Sequence, residues 1–253
     1  MLLLCLFAFL AGFIDAMVGG GGLIQLPAFL ILQPHLSLVQ TLATNKTASF
    51  FGTSVAAIRY VKKVKIDWRH LFVAIVAAFV GSFSGALLVS HVRKEEFMPF
   101  IVVILTLVLV YTLFKKELGV HETNKPRTSR QYFIYALLIG GIIGFYDGLI
   151  GPGTGSFMIF AFVVLFGYNF LHASANAKVL NCVTNISALI FFFYKGAILW
   201  SLAIPVGLAN MLGNYAGSHL ALKKGSGFIR IFFLIVVTAL IVKLGWGVWD
   251  TLK

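Results

Sequence analysis

Long apolar runs separated by short polar connections dominate the chain. A helix that crosses the hydrocarbon core of a bilayer needs about 20 predominantly apolar residues. Eight runs meet this requirement, at roughly 2–18, 38–60, 68–90, 97–115, 131–150, 173–194, 198–221 and 228–247. Two shorter apolar stretches, 22–33 and 154–168, each follow a glycine-rich break. We interpret these two as half-helices or re-entrant segments, and short full spans are the alternative.

The composition excludes both a soluble domain and a disordered chain. Hydrophobic residues make up 60% of the sequence and charged residues only 11%, whereas an ordinary soluble domain is about 25% charged. Disorder requires low hydrophobicity together with high net charge. The sequence therefore predicts an all-α polytopic membrane protein with about eight spanning helices and two broken or re-entrant half-helices. The first run lacks Lys and Arg and contains Asp15, so we interpret it as a retained span rather than a signal peptide.

Basic residues set the expected orientation. The chain has 20 Lys and Arg against 8 Asp and Glu, a formal net charge of +12. Most of the excess lies in the connections 61–69, 115–130 and 221–230, whereas 91–97 and 195–197 are poor in basic residues. The positive-inside rule places the three rich connections in the cytoplasm and both termini outside. We expect a multi-pass plasma-membrane protein whose surroundings are the lipid bilayer. No nucleic-acid-reading motif is present, so we expect no nucleic-acid partner.

The two halves of the chain resemble each other at one register. Shifting the sequence by 132 positions superposes rare residue types without a gap, namely Asp15 on Asp147, Lys46 on Lys178 and Trp68 on Trp200. Equivalent connections differ in basic content, which predicts that they face opposite sides of the membrane. Such an inverted-topology repeat places the substrate of many secondary transporters at the repeat interface, near the bilayer midplane.

A polar stretch near the middle of the chain separates the two halves. Residues 117–130 include Pro126 and several charged side chains, which is typical of a linker. We therefore divide the chain into a first transmembrane bundle (1–116), a cytoplasmic linker (117–130) and a second transmembrane bundle (131–253).

The first duplicated motif is a glycine break between helices. GFIDAMVGGGGLIQLP (12–27) is echoed by GFYDGLIGPGTGSFMI (144–159). The helix after each break presents free N–H groups and its positive dipole end, an arrangement that binds anions. The candidate binding residues are Gly19, Gly20, Gly21, Gly22, Gly151 and Gly153, with hydroxyl donors from Thr154 and Ser156. The alternative is close helix packing through small residues.

The second duplicated motif places a lysine inside an apolar span. TLATNKTASFFGT (41–53) is echoed by ASANAKVLNCVTN (173–185). Ammonium, amide and hydroxyl donors on one helix face suit a hard oxyanion that has lost its water shell. The candidate binding residues are Asn45, Lys46, Ser49, Asn176, Lys178, Asn181 and Asn185. The alternative is that each lysine extends to the lipid headgroups.

An aspartate lies four residues before each glycine break. Asp15 and Asp147 have three possible roles: pairing with Lys178 and Lys46, capping of backbone donors, or transfer of a coupled proton. Burial and lysine pairing act on a carboxyl pKa in opposite directions, so the sequence does not choose between them.

These motifs resemble those of the sulfite exporter TauE/SafE family of small-anion permeases. The similar segments are G-F-x-D-x-x-x-G-G-G-G (12–22), A-T-N-K (43–46), I-D-W-R (66–69), G-P-G-T-G-S-F (151–157) and A-N-A-K (175–178). The resemblance covers nearly the whole chain. It implies a multi-pass permease for sulfite, sulfonates or other small organic anions.

We therefore expect a secondary transporter that moves a small anion, such as sulfite, a sulfonate or a related organosulfur anion, by alternating access. A passive anion channel is the alternative. We expect no enzymatic activity, because the spans contain no arrangement of nucleophile and base. We also expect no cofactor and no metal site. The sequence leaves a homodimer open.

Overall fold

A computed structural model describes residues 1–89, 106, 119–123 and 128–251, and all regular elements among them are helical. The elements in chain order are α1 (Leu2–Val18), α2 (Gly22–Leu32), α3 (Leu38–Val61), α4 (Trp68–Leu88), α5 (Ser129–Leu149), α6 (Thr154–Phe166), α7 (Phe170–Tyr194) and α8 (Trp200–Thr251). This confirms the predicted all-helical membrane architecture. Apart from residue 106, the predicted span 97–115 lies outside the described residues.

Three of these helices contain a segment that departs from regular α-helical geometry. The five residues Ile139–Ile143 of α5 and Phe162–Phe166 of α6 form π-helical turns. In α8, Gly225 has φ 76° and ψ −171°, so the element consists of two helical parts joined by a kink at this residue. That break separates the two apolar runs that the sequence analysis treated as separate spans, 198–221 and 228–247.

Helix length separates spanning from non-spanning elements. Helices α4, α5 and α7 are long and apolar enough to cross a membrane. Helix α2 has 11 residues and is therefore about 16 Å long, and α6 is about 20 Å long. Both are shorter than the roughly 30 Å hydrocarbon core, which favours half-helices over full spans at these two positions.

Side-chain caps fix where the helices begin. Ser37 and Gln40 form a reciprocal capping box at the start of α3, and Thr128 and Gln131 form another before α5. The side chain of Asn169 accepts a hydrogen bond from the amide of His172 at the start of α7. Each cap satisfies an amide that has no carbonyl partner within its own helix.

The helix starts recur at the spacing found in the sequence. Helices α2, α3 and α4 begin at residues 22, 38 and 68, and α6, α7 and α8 begin at 154, 170 and 200. Helix contacts recur as well. A side chain on Gly213 would meet the backbone of Phe9 and Phe13, and one on Gly81 would meet Gly141 and Phe145. All of these contacts are related by the same shift of 132 positions.

The ends of two connections rich in basic residues, 61–69 and 221–230, lie at one end of the bundle. His70, just after the connection 61–69, packs on Tyr132 near the start of α5, with ring centroids 4.3 Å apart. The Ser226 hydroxyl, beside the break in α8, accepts a hydrogen bond from the amide of Leu171 at the start of α7. At the opposite end, the Leu199 amide donates to Thr44 near the start of α3. Helices α3 and α7 therefore start at opposite ends.

Candidate functional site

Two glycine breaks meet in the middle of the bundle. Helix α1 ends at Val18, and Gly19 takes the left-handed conformation, with φ 74° and ψ 13°. In the second break, Gly151 and Gly153 have φ 89° and 85°. The backbones of Gly19 and Gly155 touch, so a Cβ on either would overlap the other residue. The breaks thus need glycine both for conformation and for close approach.

Side chains from distant helices satisfy the free carbonyls at the end of α1. Tyr60 donates to the carbonyl of Ala16 at 2.9 Å, and Ser156 donates to that of Val18 at 2.7 Å. A longer bond, 3.4 Å, joins the Ser174 hydroxyl to the carbonyl of Met17. These bonds hold the broken end of α1 against α3, α6 and α7. They also satisfy the last carbonyls of α1 without water.

Each buried lysine forms an ion pair with the aspartate of the other half of the chain. Lys46 Nζ lies 3.0 Å from Asp147 Oδ2, and the two side chains are 5% and 4% exposed. Lys178 Nζ lies 2.6 Å from Asp15 Oδ2, with side-chain exposures of 0% and 11%. Neither lysine extends to the headgroups. Pairing is what makes four charged groups tolerable inside a membrane protein.

A small polar cavity lies between the two breaks. It offers about 40 Å³ to water-sized molecules, which is room for about three waters or a compact oxyanion. Helix starts, amides, the Lys46 ammonium and both aspartates form its wall. The lining residues are Asp15, Gly19, Gly21, Gly22, Asn45, Lys46, Ser49, Asp147, Ile150, Gly151, Pro152, Gly155, Asn181, Asn185 and Asn210.

Amide side chains form the polar part of the wall between α3 and α7. Asn185 donates to Asn181 Oδ1 at 2.9 Å and to Thr53 Oγ1 at 3.4 Å. The Asn45 residue is 7% exposed, and its side-chain oxygen has no hydrogen-bond partner among the described residues. A buried polar atom of this kind is costly unless a ligand or water binds it.

A second amide network extends outward from the cavity wall at Asn210. Asn210 donates to Gln25 Oε1 at 2.5 Å and accepts from Asn214 Nδ2 at 2.8 Å. Gln25 also donates to the backbone carbonyl of Asn45 at 3.5 Å. A Cβ on Gly52 would overlap the Asn210 and Asn214 side chains. The network therefore joins α2, α3 and α8 next to the cavity, with Asn210 on its wall.

Nine of the sequence-predicted binding residues lie on the cavity wall, and six do not. Gly20, Gly153 and Asn176 are off the wall, and Asn176 donates to the carbonyl of His172. The hydroxyls of Thr154 and Ser156 donate to the carbonyls of Gly151 and Val18. The sixth residue, Lys178, lies behind Asp15 rather than on the wall.

The structure adds residues that the sequence analysis did not assign to binding. Ile150, Pro152, Gly155 and Asn210 line the cavity. Asn210 and Gln25 could have been recognised from the sequence, because each is an amide side chain within an apolar run. Gly155 had no such signal, since its role depends on the approach of Gly19 from the other half.

The cavity wall combines hydrogen-bond donors with two carboxylates. The Lys46 ammonium, several side-chain amides, and Gly22 and Gly155 in the first turns of α2 and α6 face one space, and a helix start is the positive end of the helix dipole. Among the described residues, no group of three His, Cys, Asp or Glu side chains is placed to hold a metal ion. The site is therefore a donor-rich pocket between two broken helices.

Comparisons with known proteins identify the family. Residues 4–244 match the family model described as Sulfite exporter TauE/SafE. The chain is 37% identical over 238 residues to "Probable membrane transporter protein YfcA" of Escherichia coli K12, covering 94% of this chain and 86% of that protein. It is 36% identical over 237 residues to "Probable membrane transporter protein ORF9" of a Sinorhizobium species, covering 94% and 89%. A "Probable membrane transporter protein" of Haemophilus influenzae is 35% identical over 228 residues, with coverage of 90% and 88%. The chain belongs to the sulfite exporter TauE/SafE family.

Proposed function

We propose that this protein is a secondary transporter that moves a small anion across the plasma membrane by alternating access. Sulfite, a sulfonate or a related organosulfur anion is the proposed substrate class. The family match and the relatives' description as membrane transporters support the general activity. The observation that carries the proposal is one cavity in which Lys46 and the starts of two broken helices face the same space.

The donors suit the geometry of a sulfur oxyanion. Lys46 supplies a charged donor, and hydrogen bonds to charged groups are about twice as strong as neutral ones. Asn181 supplies an amide group from the facing helix, and Asn185 orients it by donating to Asn181 Oδ1. Glycines at both breaks leave backbone amides open to close approach. A cavity of about 40 Å³ suits a compact anion rather than a long organic acid.

The repeated architecture supports alternating access. Helix starts and helix contacts recur with a shift of 132 residues, and α3 and α7 start at opposite ends of the bundle. We interpret this as an inverted-topology repeat with the site at the interface of its halves. Rocking of one half against the other would then expose the site to each side of the membrane in turn.

The same features support an orientation. The ends of the basic connections 61–69 and 221–230 are gathered at one end of the bundle, with the start of α5. By the positive-inside rule this end faces the cytoplasm, with the N- and C-termini outside. A homodimer is compatible with this arrangement, and its test is the oligomeric state in detergent.

Flux measurements in proteoliposomes test the function. Purified protein is reconstituted, and uptake of radiolabelled sulfite, thiosulfate, sulfoacetate and taurine is followed under an imposed ion gradient, with small carboxylates as comparison. A transporter accumulates its anion above equilibrium with the outside solution. Flux that never exceeds equilibrium favours the passive channel, and no flux of any of these anions contradicts the proposal.

Matched variants locate the flux at the cavity. Lys46→Ala removes the charged donor from the wall, and we expect it to abolish accumulation. Lys195→Ala removes an exposed lysine that lies over the Phe191 ring, and we expect accumulation to persist. Equal flux in both variants would place the pathway elsewhere.

A further inference from the structure

The charges at the cavity balance before any anion arrives. Lys46, Lys178, Asp15 and Asp147 sum to zero, and they are the buried charged side chains among the described residues. The helix starts add only partial positive charge, and both aspartates already lie at the breaks. A bound anion therefore brings negative charge that the wall does not fully neutralise.

A bound anion would be repelled most strongly by the Asp147 carboxylate, the partner of Lys46. Lys46 is the only charged donor among the lining residues, and Asp147 occupies its ammonium at 3.0 Å. An anion bound to the free side of that ammonium would lie roughly 6 Å from the carboxylate, two hydrogen-bond lengths away. Like charges this close repel strongly in a site of low dielectric.

We infer that Asp147 takes up one proton when the anion binds and releases it when the anion leaves, which makes the protein a proton–anion symporter. This inference rests on the proposed transport function. Protonation converts the carboxylate to a neutral carboxyl group, which removes the repulsion and frees the Lys46 ammonium for the anion. Anion and proton then cross together, and the carboxylate pairs with Lys46 again after both have left.

The other aspartate is less suited to this role. Asp15 also lines the cavity, but its partner Lys178 is fully buried and is not on the wall. Protonating Asp15 would free an ammonium that a bound anion does not reach in this structure. The Asp15–Lys178 pair is therefore a structural tie between the halves.

Three elements bring described titratable side chains close to Asp147. Helix α3 presents Lys46, α1 presents Asp15 and α7 presents Lys178. On α5 itself, Tyr146 donates its hydroxyl hydrogen bond to the carbonyl of Pro152. The more distant titratable groups on the described parts of the elements packed against α5 are Cys5, Arg59, Tyr60, Arg69, His70, His172, Cys182 and Tyr194.

These distant groups have other surroundings. His70 packs on Tyr132, about 22 Å along α5 from Asp147. His172 pairs with Glu122, and Cys182 lies against the Ser54 hydroxyl. Arg59 contacts His219, and Tyr60 donates to the carbonyl of Ala16. Asp147 is thus the carboxylate that directly controls the cavity's charged donor.

Proton counting in proteoliposomes tests the inference. Methanesulfonate and thiosulfate are suitable probes, because neither anion titrates near neutral pH and any proton movement then comes from the protein. A trapped pH dye reports protons while radiolabel reports anions. We expect about one proton per anion for the wild type and for Lys195→Ala, and a ratio near zero for Asp147→Asn. Anion flux without protons in the wild type, or an unchanged ratio in Asp147→Asn, overturns the inference.

Infrared difference spectroscopy tests the inference without transport, and is therefore usable if Asp147→Asn folds poorly or does not transport. Adding either probe to purified wild-type protein should produce a protonated-carboxyl band, and Asp147→Glu should shift it. No band, or a band that does not shift, overturns the inference. Failure of the proposed transport function gives a different result from failure of proton coupling, because then neither sulfite nor any probe crosses the membrane through the wild type. The inference is then overturned as well.

Discussion

Lys46 and Asp147 are 101 positions apart in the sequence, yet the ammonium of one lies 3.0 Å from the carboxylate of the other. Lys178 and Asp15 repeat this relationship at 2.6 Å. In both pairs the lysine comes from one half of the chain and the aspartate from the other. The two halves are therefore tied by two crossed ion pairs. Both members of the first pair line the cavity, and only the aspartate of the second pair does.

Breaking the Lys178–Asp15 ion pair should destabilise the protein. Lys178→Met leaves the Asp15 carboxylate buried without its partner, which costs about 3–5 kcal/mol. Asp15→Asn in the same chain removes the unpaired charge and should restore most of that loss. Thermal unfolding in detergent measures both effects, with exposed Lys195→Met as the control. A single Lys178→Met variant as stable as the wild type would contradict the structural role of the pair.

The contact between the two breaks should not tolerate a side chain. Gly19→Ala forces alanine into the left-handed conformation, at about 1–2 kcal/mol, and pushes its methyl group into the backbone of Gly155. We expect a clear loss of folded protein by gel filtration and thermal unfolding. Gly227→Ala is the matched control, because a Cβ there meets nothing within 4 Å. Wild-type stability of Gly19→Ala would show that the breaks are not packed as described.

Removing the centre of the amide network should also lower stability. Asn210→Ala removes the amide that donates to the Gln25 side-chain oxygen, and Gln25 is only 1% exposed. An unsatisfied buried polar group costs about 1–3 kcal/mol. Thr238→Ala serves as control, since that exposed hydroxyl only bonds within its own helix. If both variants unfold at the same temperature as the wild type, the network is dispensable.

Helix α4 should lose stability in acid, because its N-cap residue, Asp67, becomes protonated. Partial burial tends to raise the pKa of Asp67, but hydrogen bonds from His70 and from the backbone amide of Arg69 outweigh it and lower the pKa. Because the pKa of Asp67 is lower in the folded state than in the unfolded state, the ionised carboxylate stabilises the fold at pH values above the ordinary carboxyl pKa. This stability is lost as the pH falls through the folded-state pKa. Asp67→Ala should cost about 0.5–2 kcal/mol near neutral pH, whereas Asp67→Asn keeps the cap.

Thermal unfolding as a function of pH measures this effect. The difference between wild type and Asp67→Asn should shrink towards low pH, because the charge contribution disappears there. A difference that grows as pH falls would have the wrong sign for a lowered pKa.

Much of the fold could be predicted because bilayer physics constrains the sequence directly. Apolar length located the helices, and the starts of α2, α3 and α4 recur in α6, α7 and α8 at the spacing of Asp15 and Asp147. The π-helical turn Ile139–Ile143 had no recognisable signal, because a π-turn depends on how neighbouring helices pack.

The candidate site could be predicted by residue type but not by role. The sequence selected Lys46 and Lys178 equally, yet only Lys46 lies on the cavity wall. Ser156 was considered a substrate donor because of its position after the break, but its hydroxyl donates to the carbonyl of Val18. Such distinctions depend on contacts between the halves, which hydrophobic periodicity does not encode.

Equilibrium binding to purified protein tests the central claim most directly. Sulfite, thiosulfate, sulfoacetate, taurine and small carboxylates are titrated into wild type, Lys46→Ala and Lys195→Ala, with folding checked by gel filtration. Loss of a hydrogen bond to a charged group costs about 1.5–3 kcal/mol, so Lys46→Ala should bind about 10- to 100-fold more weakly. Lys195→Ala should match the wild type. Unchanged affinity of Lys46→Ala for every anion that the wild type binds would contradict the assignment of the cavity as the anion site.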